Sequence, residues 1–169
     1  GKKVLELGCG SGYWMRILAS EGAECTGVDI SKEQLAKAEE SPGVDYVHGD
    51  ITDLDLEPGF DIVFIEFVLL EIPTIEELEA LFKEAYRLLR TGGLLFISDM
   101  HPFDPIVHDR FELPEGFHYF MSGAKIIASA KQLDGSIIKF TDYHWTLEDY
   151  FSAIIEAGFL IKGLEEPRP

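Results

Sequence analysis

Short apolar runs alternate with segments whose apolar residues recur at helical spacing, and each change of pattern is punctuated by glycine, proline or a capping residue. Val4-Leu5-Glu6-Leu7 predicts a strand that runs into Gly8-Cys9-Gly10-Ser11-Gly12, then a helix over residues 13–20 closed by Gly22. A second apolar strand ends at Gly27-Val28-Asp29, and Ser31-Lys32-Glu33-Gln34 has the form of a capping box opening a helix that stops before Pro42. The run ending Val47-His48-Gly49-Asp50-Ile51 predicts a third strand and Phe60-Asp61-Ile62-Val63-Phe64-Ile65 a fourth. Thr74-Ile75-Glu76-Glu77 opens a long helix whose Leu78, Leu81, Phe82, Ala85, Leu88 and Leu89 share one face, expected to end at Gly92-Gly93 before a fifth strand over 94–99.

The alternation then stops. Residues 100–122, with Pro102, Pro105 and Pro114 among aromatics and histidines, predict an irregular loop or small lid. Two β-prone runs, 125–133 and 136–145, joined at Asp134-Gly135, predict a hairpin. A helix over 147–157, capped by Thr146 and closed by Gly158, leads to an expected last strand over 159–164. The fold class is α/β: a doubly wound, mostly parallel sheet with helices on both faces, plus a β-hairpin insertion after strand five. Ligands in such folds sit at the carboxyl ends of the strands. That places residues 8–12, Asp29, Asp50, Glu66 and Asp99 on one rim.

Composition narrows the class. With 169 residues, 46% of them hydrophobic, the chain is expected to form a single domain spanning 1–169. It contains no apolar run of about 18 residues and no basic, apolar leader, so neither membrane span nor signal peptide is expected. Cys9 and Cys25 show no metal or disulfide spacing, which points to a reduced, cytoplasmic protein. The formal net charge of −17, from 14 basic against 31 acidic residues, argues against nucleic acid as a partner, although most of these acids serve as solvated surface.

The glycine loop is the first candidate site. Alternate glycines let the backbone turn tightly and approach a ligand, and an acid ending the next strand is placed to accept from ribose hydroxyls. The spacing is E-x-G-x-G-x-G rather than the dinucleotide G-x-G-x-x-G. Taken alone, the loop and Asp29 fit both a nicotinamide dinucleotide and S-adenosylmethionine.

Together with the third and fourth strand ends and Leu89-Arg90-Thr91-Gly92-Gly93-Leu94-Leu95, the chain resembles the class I S-adenosylmethionine-dependent methyltransferases, small-molecule type, over most of its length. The resemblance implies S-adenosylmethionine as cofactor, with S-adenosylhomocysteine as product. It assigns Glu6, Gly8, Gly10 and Gly12, with Cys9 between them, to the cofactor loop, Asp29 to the ribose, Asp50 with Ile51 to the adenine, and Ile30 to the cofactor site. Tyr13 is expected near the cofactor. Glu66 at the end of the fourth strand is expected either to face the methionine ammonium or a cationic substrate, or to be a partly exposed rim carboxylate. Glu66 and Leu70-Glu71 stand where the family carries small or polar residues and a histidine pair, which leaves the acceptor open. The resemblance also implies one or two helices before the glycine-loop strand and a seventh, antiparallel strand. The chain is expected to lack both, with residues 125–145 partly filling the gap or the edge of strand five meeting another chain.

Methyl transfer from a sulfonium needs mainly in-line positioning, a contribution of roughly 7–11 kcal/mol, with a general base adding perhaps 10²- to 10⁴-fold for a hydroxyl or protonated amine. The candidate catalytic residues are His101, just after strand five, and Tyr143 with His144 before the last helix; His108 and His118 carry less weight. No metal is expected, because His101, Asp104, His108 and Asp109 lie in a proline-interrupted loop with no helical i, i+4 face. The expected partner is a small-molecule acceptor, with no nucleic acid and no membrane, the chain acting as monomer or homodimer. The alternatives are a catalytically inactive cofactor-binding or scaffold domain and a nicotinamide-dependent oxidoreductase.

Overall fold

The computed structural model describes residues 1–132 and 134–166; Leu133, in the first β-prone run, and Pro167-Arg168-Pro169 at the end lie outside the described residues. Two compact units are present, residues 1–68 with 80–99, and residues 69–79 with the described residues from 100 onward.

The first unit holds a five-stranded parallel sheet of β1 (Lys3–Leu7), β2 (Glu24–Asp29), β3 (Val44–His48), β4 (Phe60–Glu66) and β5 (Leu89–Ser98), in the order β3-β2-β1-β4-β5. Alternation along the strands sends Val4 and Cys25 to one face, where Met15 of α1 (Tyr13–Ser20) packs on them with Val44 and Ile62 around. Leu5, Leu7, Val28, Val63 and Ile65 are buried as well. In α3 (Ile75–Leu88), Leu78, Leu81, Phe82, Ala85 and Leu88 are completely buried, the single apolar face that the sequence predicts. Glu84 of α3 accepts from the Leu54 N–H, and Arg87 donates to the Leu54 and Leu56 carbonyls, so the short β3–β4 connection is tied down without a helix of its own.

Three boundaries differ from expectation. α2 (Lys32–Leu35) is one turn long: Ser31 Oγ accepts from Gln34 N as a cap should, but beyond Leu35 no apolar face holds a helix against the sheet. β3 ends at His48 rather than Ile51, because the Asp50 carboxylate captures both the N–H and the hydroxyl of Thr52 and turns the chain. α3 ends at Leu88 rather than at Gly92-Gly93. Leu89 already pairs with Phe60, and residues 90–93 form a bulge, with Gly92 at φ 74, before Leu94 pairs with Ile62. The Arg90 guanidinium holds Asp61 across this bulge at 2.7 Å.

In the second unit the expected loop after strand five contains a helical turn, α4 (Asp104–Val107), and a short strand, β6 (Phe111–Glu112). β7 (Ala124–Lys131) and β8 (Ile137–His144) form the predicted antiparallel hairpin, and β6 joins it in the order β6-β7-β8. Residues 125–145 therefore build a separate sheet and add no strand to the parallel one. α5 (Leu147–Glu156) begins at a complete capping box in which Thr146 and Asp149 satisfy each other's backbone N–H groups. The expected last strand over 159–164 does not form. The segment joins neither sheet, and Leu160 and Leu164 are 91% and 58% exposed, so neither pairing nor burial holds it extended. Among the described residues no helix is long and apolar enough to cross a membrane.

Candidate functional site

The strand registers bring the carboxyl ends of the parallel sheet to one rim. Leu7 is level with Val28 and Ile65, Asp29 with His48, and Glu66 with Ser98. At that rim the N–H groups of Gly8 and Cys9 both donate to the Val28 carbonyl, which bends the chain out of β1. Three glycines at φ 80, 54 and 73 continue the turn.

Each glycine has its own reason. A Cβ on Gly8 would stand 2.3 Å from Val68 Cγ2, and one on Gly12 would stand 2.1 Å from the Tyr46 hydroxyl. Around Gly10 there is nothing within 4 Å, so its bare backbone faces open space that a ligand can use. Val68 reaches Gly8 because Phe67, the one non-glycine residue with positive φ among the described residues (52), turns the chain sharply after β4. The Phe67 N–H donates to the Ser98 carbonyl, which holds that turn. Val68, Phe67 and Tyr46 escape a reading of the sequence, since all three act through contacts between distant segments.

Asp29 closes the cradle. One carboxylate oxygen accepts from Gly10 N and the other from Ser31 N, both at 2.7 Å, which fixes the glycine loop to the end of β2. Each oxygen keeps lone-pair capacity for a further donor. Ile30 is 66% exposed beside it, and its carbonyl lies 3.1 Å from His48 Nε2. Asp50 is exposed, and the Thr52 hydroxyl and N–H hold its carboxyl below the usual carboxylate range; Ile51 is half-buried next to it. Tyr13 opens α1 with its ring exposed and in edge contact with Trp14.

Glu6 is the unusual group. It is 3% exposed, and its Oε2 is buried with no hydrogen-bond partner. Burial first, then the nearby Glu66 and Asp29 carboxylates, push its carboxyl up to about 8 from 4.5. Burial first, then the nearby Glu6 and Asp29, push the Cys9 thiol up to about 12, so Cys9 is a packing residue rather than a nucleophile. Because Glu6 holds its proton more tightly when folded, the stability it contributes is full below pH 4.5 and is lost as pH rises to about 8. Glu6→Gln, a neutral mimic, will therefore melt with the parent near pH 5 and roughly 5–10 °C above it at pH 9. Thermal unfolding followed by circular dichroism across this range checks it.

In the second unit the three candidate catalytic residues, His101, Tyr143 and His144, line one small cavity of about 20 Å³ with Leu70, Trp145 and Tyr150. His101 is engaged at both ring nitrogens, Nε2 at 2.7 Å from Glu166 Oε1 and Nδ1 accepting from Phe103 N. His144 is buried, with Nε2 2.6 Å from the Tyr119 carbonyl, so that nitrogen carries the proton and Nδ1 is the basic one. His108 and Arg110 both engage Asp104. A larger hollow of about 530 Å³ lies in the first unit at the amino ends of the strands, lined by Lys3, Glu24, Val44 and Phe60, away from the glycine loop.

A family model described as a methyltransferase domain matches residues 4–93. The chain is 36% identical over 103 residues to an uncharacterized methyltransferase of Synechocystis sp., covering 60% of this chain and 48% of that protein. It is 34% identical over 108 residues to a ubiquinone biosynthesis O-methyltransferase of Chromobacterium violaceum, covering 60% and 45%. The chain thus spans less than half the length of these relatives. A solved structure from Listeria monocytogenes, assigned as an S-adenosylmethionine-dependent methyltransferase, superposes with a TM-score of 0.73 at 27% identity, over 99% of this chain and 78% of that one. With more than half of its residues matched and the glycine loop, strand order and rim acids in place, the chain belongs to the methyltransferase domain family, in its class I S-adenosylmethionine-dependent form.

Proposed function

We propose that this chain binds S-adenosylmethionine in the cradle of the first unit and transfers its methyl group to a small-molecule acceptor. The observation that carries the reading is Glu6, a buried carboxyl group with an unpartnered oxygen beside two further acids. A cationic ligand satisfies such a group, whereas the diphosphate of a nicotinamide dinucleotide adds negative charge to it. The residues present fit the cofactor. Gly10 offers open backbone, Asp29 has acceptor capacity left for ribose hydroxyls, Asp50 with Ile51 is assigned to the adenine, Tyr13 to the cover and Glu66 to the cationic half.

When bound, S-adenosylmethionine supplies a methyl carbon already activated by its sulfonium. The chain then has to hold the acceptor in line and keep water out, and most of the acceleration comes from that positioning. We assign acceptor binding and any base to His101, Tyr143 and His144. His144 Nδ1 is the basic nitrogen of its ring, while His101 must release the Phe103 N–H before it can take a proton. The named O-methyltransferase relative makes a hydroxyl or carboxylate the first acceptor class to test. The test is formation of S-adenosylhomocysteine from S-adenosylmethionine with panels of phenols, carboxylic acids and amines. Product formed only with an added acceptor supports the proposal. Tight cofactor binding with no turnover on any panel favours a binding or scaffold domain instead.

A further inference from the structure

We propose that ligand binding in the cradle is coupled to proton release: Glu6 carries a proton in the unliganded protein at neutral pH and gives it to the solvent when a cation settles beside it. This rests on the reading that the cradle takes S-adenosylmethionine. Glu6 lies on β1 with Oε2 shut off from water and lacking any partner. An ionised carboxylate in that position carries an uncompensated buried charge, whereas a protonated one does not.

The groups that face Glu6 deepen the asymmetry. From β2 come Asp29 and the buried Cys25, from β4 Glu66, and from the glycine loop Cys9. On β3, which pairs with β2, the Tyr46 hydroxyl is buried with no partner and His48 Nε2 lies 3.1 Å from the Ile30 carbonyl. The one charged residue of α1, Arg16, is engaged elsewhere, by the Ser11 carbonyl and by Glu39. The Glu66 and Asp29 carboxylates both act on Glu6, and close like charges cannot all ionise freely. Of the three, Glu6 is the buried one, with an oxygen that no donor reaches, whereas Glu66 is partly exposed and Asp29 accepts an amide N–H on each oxygen. A ligand cation reverses the balance. The O–H bond of Glu6 breaks, its electron pair stays on the carboxylate, and the proton passes to the buffer.

The test is calorimetric titration with S-adenosylmethionine from pH 6 to 9, in pairs of buffers with different ionisation enthalpies, for the parent and Glu6→Gln. The parent is expected to release about one proton near pH 7, its dissociation constant falling about tenfold per pH unit up to pH 8 and levelling above. The variant is expected to release less, with a flatter profile. Binding that is independent of pH and buffer in the parent overturns the coupling while leaving the cofactor reading intact. No binding at any pH overturns the cofactor reading and the coupling together. The unliganded half is tested separately by ¹³C carboxyl resonances, with Glu6 identified by its loss in Glu6→Gln. A midpoint near 8 supports the proposal and one near 4.5 overturns it.

Discussion

Gly8→Ala will lower stability by about 2–4 kcal/mol and abolish cofactor binding, while Gly10→Ala, two residues away, will fold almost as well as the parent and lose only binding. The contrast comes from what surrounds each position. The new methyl on Gly8 lands 2.3 Å from Val68 Cγ2, at a φ of 80 that alanine avoids, so either Val68 or the loop must move. Val68 is 7% exposed and has little room to yield. At Gly10 the methyl meets no protein atom within 4 Å and φ is 54, so the strain is about 1 kcal/mol and the obstruction falls on the ligand. Urea unfolding and calorimetric binding on both variants separate the two effects. Adding Val68→Ala to Gly8→Ala should recover the steric part but not the backbone part, giving a coupling of about 1 kcal/mol or more in a double-mutant cycle. Strictly additive changes would mean that Val68 does not set the requirement for glycine.

The second large effect is expected at Asp29. Asp29→Ala removes the acceptor for the Gly10 and Ser31 N–H groups and, in the proposed complex, the acceptor for the ribose hydroxyls. Hydrogen bonds to a charged group contribute about 1.5–3 kcal/mol each, so cofactor affinity should fall at least about 100-fold. Stability should fall by only about 1–3 kcal/mol, because Gly10 borders open space and water can reach its N–H. Asp29→Asn keeps one carbonyl oxygen for one amide and loses the other, and should lie between parent and alanine in both measurements. An Asp29→Ala protein that binds S-adenosylmethionine as tightly as the parent would remove Asp29 from the site.

The parts of this molecule that were legible in the sequence are those specified locally. The glycine loop, the acid closing β2, the Thr146 cap and the Asp134-Gly135 turn each carry their own backbone chemistry within a few residues, and the structure has them where the pattern puts them. The helix after Thr74 was equally plain from its apolar spacing, yet its end was not. Whether Leu89 continues a helix or starts a strand is decided by Phe60, a partner distant in sequence. The strand expected over 159–164 failed for the same reason: apolar composition permits a strand, but only a paired neighbour makes one. β6 went unseen because two residues carry no periodicity, and Phe111 is a strand residue only by pairing with Ala128.

At the site the same division holds. Glu6 was identifiable as part of a motif, but its burial, its unpartnered oxygen and its raised pKa arise from three strands meeting at one rim. The roles of Val68 and Tyr46 in requiring glycine at positions 8 and 12 are likewise products of packing. For His101, Tyr143 and His144, position in the sequence indicated only nearness to a strand end. Their shared cavity and their hydrogen-bond partners became visible only when β8 was placed beside the chain that follows β5 within the second unit.

The central claim, that the cradle is built for a cationic nucleoside rather than a dinucleotide, is tested most directly by calorimetric titration of this chain with S-adenosylmethionine and, separately, with NADH. Micromolar binding of S-adenosylmethionine, with none of NADH under the same conditions, is the expected result. Binding of NADH without S-adenosylmethionine would contradict the account, as would a folded chain that binds neither.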